Sequence, residues 1–228
     1  MASDAQAGMN LPIVYADDAI LVLDKPAGLL TVPGRGEDKQ DCLSARVQAV
    51  FPEARIVHRL DMATSGLVIM ARSAEVQRTL GDAFAARQVH KRYEAVVDGT
   101  LGPPVSDWGV IDLPIILDWP NRPLSIVDPV NGKPSTTRWQ VIADPSSPAK
   151  ALPIPQPSTR LALEPVTGRS HQLRVHLLAL GHPILGDRLY ASAEIAERTP
   201  RLMLHACHLS LAHPVTGDSV CFSSPVPF

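Results

Sequence analysis

The stretch VHRLDMATSGLVIMARS, residues 57–73, joins a charged turn to an apolar run. His58, Arg59 and Asp61 stand immediately before a Thr-Ser-Gly sequence, which is typical of turns. The apolar residues 67–71 that follow have the length and composition of a buried core strand. The pattern therefore predicts a carboxylate held at the edge of a rigid element.

The neighbouring segments predict both strands and helices. AILVLD at residues 19–24 predicts a strand closed by a KPAG turn, while YEAVVDG at 93–99 and TRLALEP at 159–165 predict two more strands. Apolar residues at helical spacing predict helices over about residues 41–51 and after Ser73, both packed on a sheet. Because strands and helices do not alternate regularly, the predicted class is α+β, with a mixed, mainly antiparallel sheet flanked by helices.

A further helix is predicted between Ser170, placed as its N-cap, and Gly181, placed as its C-terminal stop. Arg169, His171 and Arg174 then cluster near the helix N-terminus, where free backbone N–H groups favour anions. Two interpretations stay open for this cluster. Either the cluster binds a phosphate or carboxylate, or its arginines only interact with water on an exposed face of the helix.

Length and composition indicate a globular protein. The 228 residues, 45% of them hydrophobic, suffice for one domain, which we expect over residues 11–228 after a flexible N-terminus at 1–10. Prolines cluster at residues 144–158, which we interpret as a surface loop of this domain. The first ten residues do not resemble a secretory signal, and no apolar stretch reaches the roughly 18 residues that a membrane span needs. We therefore expect a cytoplasmic protein.

Charge and spacing disfavour several functions. A net charge of −2 argues against binding nucleic acid through overall positive charge, so any such binding must be local. HRLD at residues 58–61 does not fit a kinase catalytic loop, and GRGEDK at residues 34–39 lacks the third glycine of a dinucleotide loop. His171 and His176 are five apart, which on a helix does not bring both to one metal ion. A reaction without cofactor or metal is favoured.

Four blocks of sequence resemble, in order, the motifs of the RluA-type pseudouridine synthases. They are KPAGL at residues 25–29, HRLDMATSG at 58–66, KRYEAVVDG at 91–99 and TGRSHQLRVHLLALGHPILGD at 167–187. DLPIILDWPNRP at 112–123 and RLYASAE at 188–194 resemble the RluA branch rather than its larger relatives. The resemblance implies an enzyme that isomerises uridine within RNA to pseudouridine, with no cofactor and no metal.

The resemblance also implies roles for individual residues. Asp61 is the nucleophile, which attacks the anomeric carbon or the uracil ring, or assists elimination to a glycal. Arg174 resembles the arginine that pairs with the catalytic carboxylate, and Tyr93 resembles the active-site tyrosine. Arg59 resembles the arginine that fills the gap left by the flipped base. Further contacts to RNA are expected from Lys91, Arg122, Arg169, His171 and His58, although for His58 a local hydrogen bond that holds the turn is preferred.

By the same resemblance, the expected partners are a tRNA anticodon stem-loop and a large-subunit rRNA hairpin, bound by a monomer. One alternative is the same reaction at a different single rRNA or tRNA site. A second is an RNA-binding module that remodels stem-loops without chemistry. A third, a small-molecule hydrolase using Asp61 and the histidines, is disfavoured because no metal-ligand pattern accompanies them.

Overall fold

The computed structural model describes residues 12–142, Pro155 and residues 157–228, and these form two compact units. Of the described residues, unit 1 contains 12–90 and Ala206–Ser224, and unit 2 contains those between 91 and 205 together with Pro225–Phe228. The predicted flexible N-terminus at 1–10 and most of the Pro-rich segment at 144–158 lie outside the described residues. The assignment of residues 11–228 to one domain stays a prediction.

Strands outnumber helices in the described residues. The strands, in chain order, are β1 (Ile13–Ala16), β2 (Ile20–Lys25), β3 (Arg55–Ile56), β4 (Ser65–Ala71), β5 (His90–Asp98), β6 (Gly109–Asp112), β7 (Ile115–Leu117), β8 (Ser125–Val127), β9 (Thr136–Val141), β10 (Ser158–Pro165), β11 (Leu204–Ala212) and β12 (Ser219–Ser223). The helices are α1 (Leu43–Gln48), α2 (Ala74–Ala85), α3 (Gln172–Ala179) and α4 (Ala193–Glu197), with a 3-10 turn at Glu37–Lys39. None of these helices has the length and apolar character that crossing a membrane requires.

Strand β4 is the centre of unit 1. Its neighbours are β2, β3 and β11, while β1 extends the sheet from β2 and β12 pairs with β11. All seven residues of β4 are buried, which confirms the predicted core strand. Helix α2 packs on β3 and β4 through Val76 and Leu80, with Phe84 partly buried beside them, as its apolar spacing predicts. Ser73 caps α2 by accepting the Val76 N–H at 3.1 Å.

Helix α1 is shorter than predicted. Leu43 and Val47 are buried as expected, but the helix ends at Gln48 rather than Phe51. Pro52 explains the difference, because the residue before a proline is disfavoured in the helical region.

Unit 2 contains the antiparallel sheet β5–β10–β9–β6 and a separate hairpin of β7 and β8. The predicted strands at residues 93–99 and 159–165 correspond to β5 and β10, although β5 begins earlier and includes the basic residues 90–92. Every strand pair with a described register, in either unit, is antiparallel. With the four helices this confirms the predicted α+β class.

Helix α3 begins later than predicted, and Ser170 is not its N-cap. The cap is His171, whose backbone is left-handed at φ 55° and whose side chain makes no capping bond. The Gln172 side chain accepts the N–H of Arg169, which precedes the helix, at 3.0 Å from its Oε1. The predicted stop is confirmed: Gly181 has φ 87°, and its N–H and that of His182 bond to Leu178 and Leu177 in a Schellman motif.

Polar side chains of α3 face the interior as well as apolar ones. His176 is fully buried, where its Nδ1 lies 2.9 Å from the Thr137 hydroxyl and its Nε2 lies 2.9 Å from the Leu113 carbonyl. Burial lowers the pKa of His176, so its imidazole is neutral and donates from Nε2 to the carbonyl. His176 therefore fixes α3 to β9 and to the segment before β7.

The loop that carries Asp61 is fixed by the segment after β2. Lys25 is fully buried, and its Nζ donates to the carbonyls of Pro26 at 2.8 Å, Leu29 at 2.7 Å and Met62 at 3.2 Å. The Gly28 N–H also donates to the Met62 carbonyl, at 2.8 Å. The KPAG segment thus forms the predicted turn, and its lysine holds the residue that follows Asp61.

The residue that precedes Asp61 is held as well. The Thr31 hydroxyl donates to the Leu60 carbonyl at 2.7 Å and accepts the Leu60 N–H at 3.2 Å. The Leu60 side chain is 5% exposed, so it anchors the loop in the interior. The backbone on either side of Asp61 is therefore tied to the segment between β2 and α1.

The predicted turn at residues 64–66 is only partly present. The Thr64 N–H donates to the Asp61 carbonyl at 3.1 Å, which closes a turn, but Ser65 and Gly66 are already the first residues of β4. Gly66 has φ 113°, and a Cβ there would collide with the backbone of Ala206. A glycine is required here by both backbone conformation and the close approach of a second chain segment.

We expect Gly66→Ala to lower the free energy of unfolding by about 3 kcal/mol or more, because φ strain and a backbone collision add. Urea unfolding followed by circular dichroism measures the change. Gly81→Ala is the matched control, since Gly81 lies in α2 with open space around it and should gain up to about 1 kcal/mol. Equal stability of the two variants would contradict the packing described for Gly66.

We expect Lys25→Met to lower the free energy of unfolding by about 2 kcal/mol or more, because buried carbonyls lose their charged donor. Limited proteolysis should also cut the variant at residues 58–64 sooner than the wild type. The control is Lys39→Met, which removes an exposed lysine of the same unit. The anchoring role of Lys25 is wrong if both variants unfold at the same urea concentration.

Candidate active site

Asp61 lies in the short loop between β3 and β4 of unit 1. Exposure alternates along this loop: Arg59 is exposed, Leu60 is buried and Asp61 is half-buried. Asp61 is therefore partly accessible while the backbone around it is held by Thr31 and Lys25. An accessible acid on a fixed backbone is suited to nucleophilic attack, because little freedom is lost when the reacting atoms meet.

His58 connects the start of this loop to two elements of unit 1. Its Nε2 accepts the Ile69 N–H at 3.1 Å, and its ring stacks on Phe84 of α2 with 4.7 Å between centroids. A nitrogen that accepts an N–H carries no proton, so the imidazole is neutral. The local hydrogen bond preferred from the sequence is confirmed, whereas a contact of His58 with RNA stays a prediction.

Arg59 presents its side chain to solvent. In the described part of the chain its guanidinium has no hydrogen bond or ion pair, in contrast to Arg72 of the same unit, which binds Glu53 at 2.7 Å. Since no intramolecular hydrogen bond or ion pair has to break first, the Arg59 guanidinium can form a contact with another molecule at low cost.

Lys91 and Tyr93 lie two residues apart on β5 of unit 2 and therefore point to the same face of the strand. Both are half-buried, and burial lowers the pKa of the Lys91 ammonium. Tyr93 is opposite Leu163 of β10 in the antiparallel register. The strand thus places an aromatic ring and a cation on the same face.

Arg174 is buried in unit 2, where it forms a two-bond fork with Asp187. Nε lies 2.8 Å from Oδ2 and Nη2 lies 2.6 Å from Oδ1, and the two side chains are 4% and 1% exposed. Asp187 also accepts the N–H groups of Leu189 and Tyr190, at 3.0 and 3.2 Å. The interpretation of Arg174 as a residue of an exposed face is therefore wrong: its guanidinium is held in one orientation.

Tyr190 links Arg174 to His171. The Arg174 guanidinium lies 4.9 Å from the centre of the Tyr190 ring, and the Tyr190 hydroxyl lies 2.6 Å from His171 Nδ1. The same hydroxyl accepts the N–H of Ser125 at 2.8 Å. His171 and Arg174 are thus brought together, as predicted, but through Tyr190 and from a cap position rather than from one face of a helix.

Arg169 and Arg122 lie on exposed parts of unit 2. Arg169 makes long hydrogen bonds of 3.3 and 3.4 Å to the Pro134 carbonyl, which leave its position adjustable. Arg122 lies over the ring of Trp119, at 4.6 Å from its centre. Contacts of both arginines with RNA stay predictions.

Sequence reasoning missed Asp187 and Tyr190, which contact the predicted site residues Arg174 and His171. A signal for Asp187 existed, since a lone acid within PILGD is surrounded by residues of buried type and requires a partner when buried. No comparable signal indicated that Tyr190 would connect His171, Arg174 and Ser125. Among the described residues, no three His, Cys, Asp or Glu side chains are grouped so that they could hold a metal ion.

Comparisons with known proteins identify the family. The family model of RNA pseudouridylate synthase matches residues 19–179. The chain is 47% identical over 218 residues to the dual-specificity RNA pseudouridine synthase RluA of Escherichia coli (strain K12), covering 96% of this chain and 94% of that protein. It is 44% identical, with the same coverage, to the protein of the same name from Haemophilus influenzae.

Solved structures agree with these matches. The human RNA pseudouridylate synthase domain containing 1 matches with a TM-score of 0.75 and 30% identity, covering 96% of this chain and 85% of that chain. The human RNA pseudouridylate synthase domain containing 4, at 24% identity and a TM-score of 0.72, shares the fold. The resemblance read from the four sequence blocks is confirmed: this chain belongs to the RluA-type RNA pseudouridine synthases.

Proposed function

We propose that this enzyme converts uridine to pseudouridine in a tRNA anticodon loop and in a large-subunit rRNA hairpin. The proposal rests on the family and on the name of its relatives, which describes a dual specificity for RNA. We propose further that it acts in the cytoplasm, as a monomer, and that residues 11–228 fold as one catalytic domain.

The observation that carries the mechanism is the fixed backbone on both sides of Asp61, held at Leu60 by Thr31 and at Met62 by Lys25. We assign to Asp61 the nucleophile that allows the C1′–N1 bond to break. The uracil then rotates, the C1′–C5 bond forms, and the proton at C5 is lost while N1 gains one. Whether Asp61 attacks C1′ or the ring, or assists elimination to a glycal, leaves this overall balance unchanged.

We assign to Arg174 the positive charge that keeps the catalytic carboxylate ionised. The two hydrogen bonds to Asp187 are made by Nε and Nη2, so the guanidinium is oriented before RNA binds. Little free energy is then spent on reorienting it during the reaction. Tyr93 supplies a ring to pack on the flipped uracil and a hydroxyl near the proton that moves.

We assign to Arg59 the filling of the gap that a flipped uridine leaves. Its planar guanidinium can stack between bases and bond to their edges, which the compact ammonium of a lysine does less well. Its exposure, two residues before Asp61 in the same loop, supports this assignment. Lys91, Arg122, Arg169, His171 and His58 are proposed as further contacts to the RNA, through phosphate or base groups.

We expect Asp61→Asn to abolish pseudouridine formation on an anticodon stem-loop RNA while it leaves RNA affinity within about threefold, because the amide is nearly isosteric but not nucleophilic. Release of tritium from C5-labelled uridine measures the reaction, and fluorescence anisotropy measures binding. Asp18→Asn, an exposed acid of the same unit, is the control. Turnover by Asp61→Asn would refute the nucleophile, and binding without turnover by the wild type would favour a remodelling module.

We expect Arg59→Ala to lower kcat/KM on a structured stem-loop by about a hundredfold, because extrusion of the base costs a few kcal/mol that Arg59 offsets. A short unstructured RNA with the same sequence should lose much less, since its bases need little unstacking. Arg78→Ala, which removes an exposed arginine from α2, is the control. Equal losses on the two RNAs would mean that Arg59 braces the loop and does not fill the gap.

A further inference from the structure

The tip of the β7–β8 hairpin, residues 118–124, is a fixed turn. The Asp118 N–H donates to the Leu124 carbonyl at 2.8 Å, and the N–H groups of Asn121 and Leu124 bond within the tip at 3.1 Å. The Asn121 amide also donates to Asp118 Oδ2 at 2.9 Å. These bonds hold the tip in one conformation and engage its only acidic side chain.

Trp119 is carried at this tip and is 63% exposed. The chain has three tryptophans, and the other two are less exposed: Trp139 is 8% exposed, and Trp108 is half-buried, with the guanidinium groups of Arg92 and Arg138 at 5.6 and 4.9 Å from the centre of its ring. An indole exposed to water lacks the favourable free energy that burial of its large apolar surface would contribute. The exposure of Trp119 therefore indicates a surface that a ligand covers.

Arg122 indicates the chemistry of that ligand. Its guanidinium lies 4.6 Å from the centre of the Trp119 ring, so a π surface and a positive charge are presented together. Besides Asp118 and the half-buried Leu124, the rest of the tip is proline and asparagine, so Trp119 is the one exposed large apolar side chain among residues 118–124 and the tip does not form a hydrophobic protein-binding patch. A stacked aromatic with an adjacent cation suits a nucleobase and its phosphate.

We propose that Trp119 and Arg122 form a stacking site for one unpaired nucleobase of the RNA, distinct from the uridine that reacts. The base stacks on the indole of Trp119. Arg122 keeps the indole in place and donates hydrogen bonds to the phosphate next to the bound base. This inference rests on the proposed function, since it concerns the same RNA. It adds a contact that recognises loop nucleotides by stacking rather than by base-edge hydrogen bonds.

The hairpin connects this site to Tyr190 and, through it, to the buried pair of Arg174 and Asp187 in unit 2. Strand β8 begins at Ser125, whose N–H bonds to the Tyr190 hydroxyl, and the Tyr190 ring lies against Arg174. The stacking site is thus held at a set position relative to Arg174. A base bound at the tip fixes the register of the RNA loop, and loss of the site should weaken binding more than it slows the chemistry.

The test measures the affinity of an anticodon stem-loop RNA for wild-type protein and for Trp119→Ala, Trp119→Leu and Trp119→Phe, by fluorescence anisotropy. Alanine and leucine should raise Kd about tenfold or more, whereas phenylalanine should recover most of the affinity, because a ring is needed for stacking. Val215→Ala, an exposed apolar residue of unit 1, is the control and should bind like the wild type. Circular dichroism checks that each variant is folded.

The outcomes separate this inference from the proposed function. Wild-type affinity of Trp119→Ala, or of Trp119→Leu, would overturn the stacking site, the second because a merely apolar contact would then suffice. A wild-type protein that binds RNA with this dependence on Trp119, yet forms no pseudouridine, would support the site and refute the proposed function. Absence of RNA binding by the wild-type protein would refute both.

Discussion

A buried lysine ammonium fixes the segment that carries the predicted nucleophile. Lys25 has no exposed surface and donates to three carbonyls, one of which belongs to Met62. A charge in such a place requires polar partners, and the backbone can supply them only if the KPAG turn and the Asp61 loop are both formed. The cost of burying the ammonium is thereby coupled to the conformation of the loop.

Unit 2 contains a second constraint of the same kind. Arg174 and Asp187 satisfy each other in a two-bond fork, and Tyr190 covers the guanidinium while its hydroxyl connects His171 to the start of β8. A buried pair of this type is costly to break, because the remaining charge loses its partner. In each unit, a buried charged group thereby holds the side chains or backbone around it in a set orientation.

Much of the fold could be predicted from the sequence, because it depends on local patterns. The apolar run of β4 and the spacing of Val76 and Leu80 predicted a core strand and the helix that packs on it. The boundaries were less accurate where tertiary contacts decide them. The N-cap of α3 is His171 rather than Ser170, and Gly66 lies in β4, closely packed against the backbone of Ala206, rather than in the turn.

The candidate site was predictable to the extent that it resembles family motifs. Asp61, Tyr93 and Arg174 follow from those motifs, but the setting of Arg174 does not, because its partners Asp187 and Tyr190 become neighbours only when the segment after α3 folds back. The exposure of Trp119 could not be predicted from the sequence either. Its sequence shows an aromatic in a proline-rich turn, and only the structure distinguishes an exposed indole from a core residue.

Chemical mapping of pseudouridines in total RNA, from cells with and without this gene, tests the central claim most directly. Loss of the gene should remove pseudouridine from a tRNA anticodon loop and from one large-subunit rRNA hairpin, and a plasmid copy should restore both. Identical maps from the two strains would contradict the assigned activity. Loss at only one site, or at a different RNA, would contradict the dual specificity while leaving the reaction in place.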